Sequence, residues 1–166
     1  LAGSDRVGRE LASRGQSEKG RRLRADAIGE QQRPRRQTAT DRVEPEGRWR
    51  LACTSDAHSS IRAAARVMDV DVVEVPGDGL GRLTGERLDD VLRDTPGVFA
   101  VVSSAGTTNS GVVDDLAGVA DACERHGVWL HVDGAYGGAG LAAPSVRHLF
   151  AGIERADSFI VDPHKW

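Results

Sequence analysis

From Leu51 to the end of the chain, apolar positions recur in two alternating periods. Short β-branched or continuous apolar runs read as strands, and runs with apolar residues three and four apart read as helices. The segment "IRAAARVMD" follows Ser59–Ser60, which can cap a helix. "VDVVEVP" is a strand ended by Pro76, and "TGERLDDVLRD" is a helix over Thr84 to Asp94 with an acidic start. Val98 to Ser103 is a buried strand. "VDDLAGVADACERHG" is an amphipathic helix, with Leu116, Val119, Ala120 and Cys123 on one face and Gly127 as its stop. "VWLHVDGA" then reads as a strand, "VRHLFAGIERA" as a helix and "SFIVD" as the last strand. Before Leu51 the pattern is weak, with one short helix expected near Asp5–Arg14.

Strands that alternate with helices form βαβ units, so the fold class expected is α/β with a mostly parallel sheet and flanking helices. In such sheets ligands bind beyond the carboxyl ends of the strands. Three strands end in polar groups there: Thr107–Thr108, then Asp133, then Asp162, His164 and Lys165. "CTSDAHSS" adds His58 just before a helix. Each has an ordinary use when taken alone. Asp before Gly is commonly a turn residue, a Thr in a loop commonly a turn hydroxyl, and a His before a helix a start residue. A Lys at a chain end is commonly a solvated charge. Their joint placement at the ends of one sheet is what suggests a crevice with chemistry in it.

Composition narrows the classes. At 166 residues the chain is long enough for one domain with a sizeable core. Its 39% hydrophobic and 28% charged residues are ordinary for a soluble globular protein. No apolar run reaches the length of a membrane span and no leader pattern is visible. Two cysteines, Cys53 and Cys123, form no disulfide framework or metal-ligand spacing. They read as free thiols in a reducing cytosol, so the expected location is cytoplasmic. The net charge of −3 is uneven: residues 1–50 hold 13 basic and 8 acidic side chains, against 9 and 17 in the remainder. In the basic part the charges are interleaved with acids, and Trp49 is its only aromatic. That is poor equipment for nucleic acid. The expectation is a divergent, Arg-rich, poorly ordered segment over 1–50 and a folded part over 51–166.

One residue type stands out. Only two of the 22 basic side chains are lysines, Lys19 and Lys165. A lysine amine can form a Schiff base with the aldehyde of pyridoxal 5'-phosphate, which an arginine, always protonated, cannot. The cofactor's ring nitrogen works as an electron sink when protonated, and a carboxylate beside it favours that state. Asp133 suits this role. A flat imidazole such as His58 can stack on the ring, and the small Gly134 and Ala135 would let the ring lie against the strand.

The motifs "DAHSS", "AGTTNSG", "WLHVDGAYGG" and "DPHKW" stand in an order and spacing that resemble the group II pyridoxal-phosphate-dependent amino acid decarboxylases, such as those acting on aromatic amino acids, glutamate and diaminobutyrate. The resemblance runs from about Leu51 to Trp166. It implies part of the large domain of the type I, aspartate-aminotransferase-like fold. It also implies decarboxylation of an L-amino acid to an amine and CO2. Lys165 would carry the cofactor and Asp133 would pair with its ring nitrogen. Ala135 and His58 would flank the ring, and Thr108 would lie near cofactor and substrate carboxylate. His164 would sit near the phosphate. Relatives often have Asn three residues before the Lys as a phosphate contact; here it is Asp162, whose charge suits a phosphate badly. The residues alone leave an aminotransferase or another enzyme of that fold open, as well as an inert remnant. The resemblance further implies a homodimer for the full-length protein, with no membrane or nucleic-acid partner. Relatives extend further in both directions and bind phosphate with an upstream Gly-rich loop that "LAGSDRVGREL" echoes only faintly. The expectation is therefore an internal fragment of a longer enzyme, with a divergent or frame-disrupted front.

Overall fold

A computed structural model describes Pro45 and residues 47–165. The helix expected near Asp5–Arg14 and nearly all of the Arg-rich segment lie outside the described residues. The described elements are strand β1 (Arg50–Cys53), helix α1 (Ser59–Val67), β2 (Asp71–Glu74), α2 (Gly85–Asp94), β3 (Val98–Ser104), α3 (Leu116–His126), β4 (Trp129–Asp133) and β5 (Ser158–Ile160). The five strands form one sheet in the order β2-β1-β3-β4-β5. Every pairing between them is parallel. The direction of winding reverses between β1 and β3, the kind of switch point at which α/β sheets open a crevice.

Side-chain alternation divides the sheet into two faces. On one, Leu88 and Leu92 of α2 and Leu116, Val119, Ala120 and Cys123 of α3 pack with Val101, Leu130 and Val132. A fully buried Leu or Val is worth about 1.5–3 kcal/mol, so this face supplies most of the hydrophobic stabilisation. On the other, Leu51, Cys53, Ala100 and Val102 pack under Ile61 of α1. Neither Cys53 nor Cys123 is in a disulfide among the described residues, and both are buried, one in each layer. Asp89 of α2 ties the layer of helices together, pairing with Arg125 and His126 at the end of α3 at 2.9 and 3.0 Å.

Two elements differ from the sequence reading. No strand was expected at Arg50–Cys53, yet β1 is central and pairs with both β2 and β3. It is only four residues long and lacks β-branched side chains, so neither periodicity nor propensity marks it. The helix expected over Val146–Ala156 is instead two 3-10 turns, Arg147–Phe150 and Ile153–Arg155. Gly152 between them has φ 93°, outside the helical region, and a Cβ there would stand 2.5 Å from the Cα of Ala117. Close packing on α3 therefore breaks a segment whose apolar spacing resembles a helix.

Candidate functional site

The carboxyl ends of the strands are joined by backbone hydrogen bonds that continue past the sheet. Ala105 N–H donates to the Asp133 carbonyl at 2.8 Å, and Gly134 N–H to the Ile160 carbonyl at 3.0 Å. Beyond β3 the backbone of Gly106 lies directly on that of Gly137: a Cβ on Gly106 would fall 2.6 Å from the Gly137 Cα. Small residues in "AGTT" and "AYGG" thus bring the two loops into contact. Asp114 secures the same corner from below. It is buried, and its carboxylate accepts from Leu83 N–H at 2.7 Å, Ser104 N–H at 2.6 Å and the Ser103 hydroxyl at 3.0 Å. Burial pushes its carboxyl up to about 6 against the pull of these three donors.

Over these strand ends lies a cleft of about 290 Å³. Its walls include His58 and Ile61 at the start of α1, Ser104, Thr107 and Thr108 after β3, and His131 and Asp133 of β4. Ala135 and Tyr136 follow, with Ile160, Asp162 and Lys165 from the end of β5. Six of the seven site residues expected from sequence therefore line one cleft: His58, Thr108, Asp133, Ala135, Asp162 and Lys165. His164 is not among the lining residues; it lies exposed in the 3-10 turn Pro163–Lys165.

Local structure explains each placement. Leu130 and Val132 point into the helical core, so strand alternation turns His131 and Asp133 to the cleft face. The Asp133 carboxylate also accepts from Ala135 N–H at 3.0 Å, so the turn use and the cleft position coexist in one side chain. His58, rather than Ser59–Ser60, is the N-cap of α1: its Nδ1 accepts from Ser60 N–H at 3.3 Å and meets the Ser60 hydroxyl at 2.9 Å. A neutral imidazole nitrogen can accept as a serine oxygen does. Thr107 is turned inward, with its Oγ1 2.7 Å from the Ser110 hydroxyl and accepting from Val112 N–H at 3.2 Å. That fold of the loop leaves Thr108 exposed on the cleft wall. Lys165 Nζ lies 2.8 Å from Asp162 Oδ2. The hydrogen bond from Lys165 holds the Asp162 carboxyl below the usual carboxylate range. Gly134 does not line the cleft; its missing Cβ makes room for Phe159 of β5, at 2.4 Å, so of these two small residues Ala135 alone reaches the cleft wall.

The sequence reading passed over Ser104, His131 and Asp114. His131 was legible, standing two residues before Asp133 and thus on the same strand face. Asp114 was not, because its partners are 10 to 31 residues away.

The donor set suits a planar aldehyde cofactor. One amine, a carboxylate on the neighbouring strand end, a small side chain and a flat imidazole face the same space, which is near the lower limit of small-molecule pockets, about 300 Å³.

Comparison with known proteins gives the family and the fold. The family model described as the pyridoxal-dependent decarboxylase conserved domain matches residues 26–166, reaching upstream of Leu51. The chain is 42% identical over 117 residues to an aromatic-L-amino-acid decarboxylase of Drosophila lebanonensis, covering 68% of this chain and 29% of the relative. It is 38% identical over 122 residues to the human cysteine sulfinic acid decarboxylase, covering 69% and 25%. Among solved structures, mouse CSAD in apo form superimposes with a TM-score of 0.67 at 38% identity, covering 73% of this chain and 27% of that one. The Oryza sativa TDC structure with PLP and tryptamine gives 0.66 at 32% identity, covering 72% and 27%. The parallel sheet is therefore part of the type I pyridoxal-phosphate enzyme fold, and the chain spans about a quarter of the length of these relatives.

Proposed function

We propose, for a chain that belongs to the pyridoxal-dependent decarboxylase family, that its cleft holds pyridoxal 5'-phosphate through Lys165 and that the whole protein decarboxylates an amino acid. When bound, the cofactor supplies a cationic ring that takes up the electron pair left at the substrate Cα as CO2 departs. The chain's own residues prepare for that. Lys165 provides the amine; it reacts only after leaving its ion pair with Asp162 and giving up a proton. The Asp133 carboxylate, fixed by Ala135 N–H, holds a proton on the ring nitrogen. His58, anchored by its own helix-capping bond, presents a flat face toward the space that Ala135 bounds on the sheet side. Thr108 offers a hydroxyl at the rim, where a substrate carboxylate can accept from it.

One observation carries the reading: Lys165, Asp133 and His58 come from three separate segments and meet at one cleft at the ends of a parallel sheet. The test is product analysis of the protein loaded with pyridoxal 5'-phosphate, across a panel of aromatic and acidic L-amino acids. Amine and CO2 in equal amounts, abolished by Lys165→Arg, are expected. A keto acid without CO2 would move the chain to the aminotransferase reading, and no product from any substrate would count against catalysis altogether.

A further inference from the structure

Behind Asp133 lies a short polar chain that the reading above does not use. The Trp129 indole N–H donates to the Ser158 hydroxyl at 3.0 Å. The same hydroxyl oxygen is 2.8 Å from His131 Nδ1. All three side chains are half-buried, so an unplaced proton here carries a cost. An indole N–H can only donate, so Ser158 accepts from it. The hydroxyl has one proton of its own, and among the described residues its remaining side-chain partner is His131 Nδ1. The arrangement that satisfies every group has Ser158 donating to Nδ1, which leaves the ring proton on Nε2. Among the described residues Nε2 has no protein partner, and His131 lines the cleft.

We propose that His131 is a positioning residue of this cleft, fixed by the Trp129–Ser158 chain as the neutral Nε2–H tautomer. As such it offers the bound cofactor an N–H donor beside Asp133 without adding a positive charge. The proposal rests on the cofactor reading above. Its electrostatic logic is direct. Asp133, Asp162, Lys165 and His58 share the cleft with His131. An imidazolium at 131 would neutralise Asp133, the carboxylate needed opposite a cationic ring nitrogen, and would repel the Lys165 ammonium. Burial lowers the His131 pKa against the opposing pull of Asp133, which agrees with a neutral ring at neutral pH.

The first experiment needs no cofactor and no turnover. The ring nitrogen shifts of His131 are read by ¹⁵N NMR on the histidine-labelled chain at neutral pH, with Ser158→Ala alongside. Expected is a single Nε2–H tautomer in the wild type that is lost in Ser158→Ala. An imidazolium, an Nδ1–H tautomer, or a tautomer unchanged by Ser158→Ala would overturn the proposal. The second reads pyridoxal 5'-phosphate affinity by absorbance. His131→Phe should weaken binding about tenfold, the effect of one lost hydrogen bond. His131→Gln, whose amide can accept from Ser158 and donate to the cleft, should stay within about threefold. Equal affinities for wild type and His131→Phe, or equal losses in the two variants, would also overturn it. A wild type that binds no cofactor sinks the cofactor reading itself, and the donor role of His131 with it. The NMR result alone tells whether the Trp129–Ser158 chain sets the tautomer.

Discussion

Asp114 sets burial against hydrogen bonding in a way that stability measurements can decide. Its carboxylate is buried and accepts from two backbone N–H groups and one hydroxyl. The donors favour the charged form, and burial opposes it more strongly, pushing the carboxyl from 3.8 up to about 6. A carboxyl with a raised folded-state pKa binds its proton more tightly folded than unfolded. Its stabilising contribution is complete below about pH 4 and is lost as pH rises through about 6. A shift of about two units corresponds to about 3 kcal/mol. Asp78, Asp89 and Asp162 have lowered values and act in the opposite sense, losing stability as pH falls. The wild-type curve alone therefore mixes opposing slopes. The difference between wild type and Asp114→Asn isolates the one group, since the amide does not titrate. Urea unfolding of both proteins between about pH 4 and 7.5 should show the wild type gaining about 3 kcal/mol relative to the variant as pH falls. A flat difference would mean that the three donors balance burial, and one of opposite sign that they outweigh it; either would refute the reasoning.

Three other outcomes follow from the loops. Thr107→Val removes the acceptor of Val112 N–H and the partner of Ser110, and should cost about 1–3 kcal/mol in urea unfolding. Thr108→Val, on the exposed cleft wall, should stay within about 0.5 kcal/mol while lowering kcat/KM. Gly137→Ala places a Cβ 2.3 Å from the Ala105 carbonyl oxygen, so it should destabilise by about 1–3 kcal/mol and weaken cofactor binding by pushing the Ala105–Thr108 loop away.

The long-period features were legible in the sequence and the contact-dependent ones were not. Leu116, Val119, Ala120 and Cys123 announce one face of α3, and they pack as that face. The polar ends of β3, β4 and β5 announced a shared cleft because parallel topology brings such ends together. The β1 strand stayed hidden because four small or polar-flanked residues carry no period, and their strand state comes from pairing on both sides. Val146–Ala156 read as a helix because nothing local reports that Gly152 must accommodate α3. Asp114 carried no signal of its own in the sequence, and its importance lies in partners on two other segments. The motif spacing marked residues that share the cleft; the hydrogen bonds that hold them, between Ser158 and His131 and from Ala135 N–H to Asp133, emerge only from the fold.

The most direct test of the central claim is the visible absorbance of the purified protein with pyridoxal 5'-phosphate, beside Lys165→Ala, with borohydride trapping and peptide mapping of the adduct. A protein-bound band that is absent in the variant, with the reduced cofactor mapped to Lys165, is the result predicted. A band that survives the substitution, or an adduct on Lys19, would contradict it.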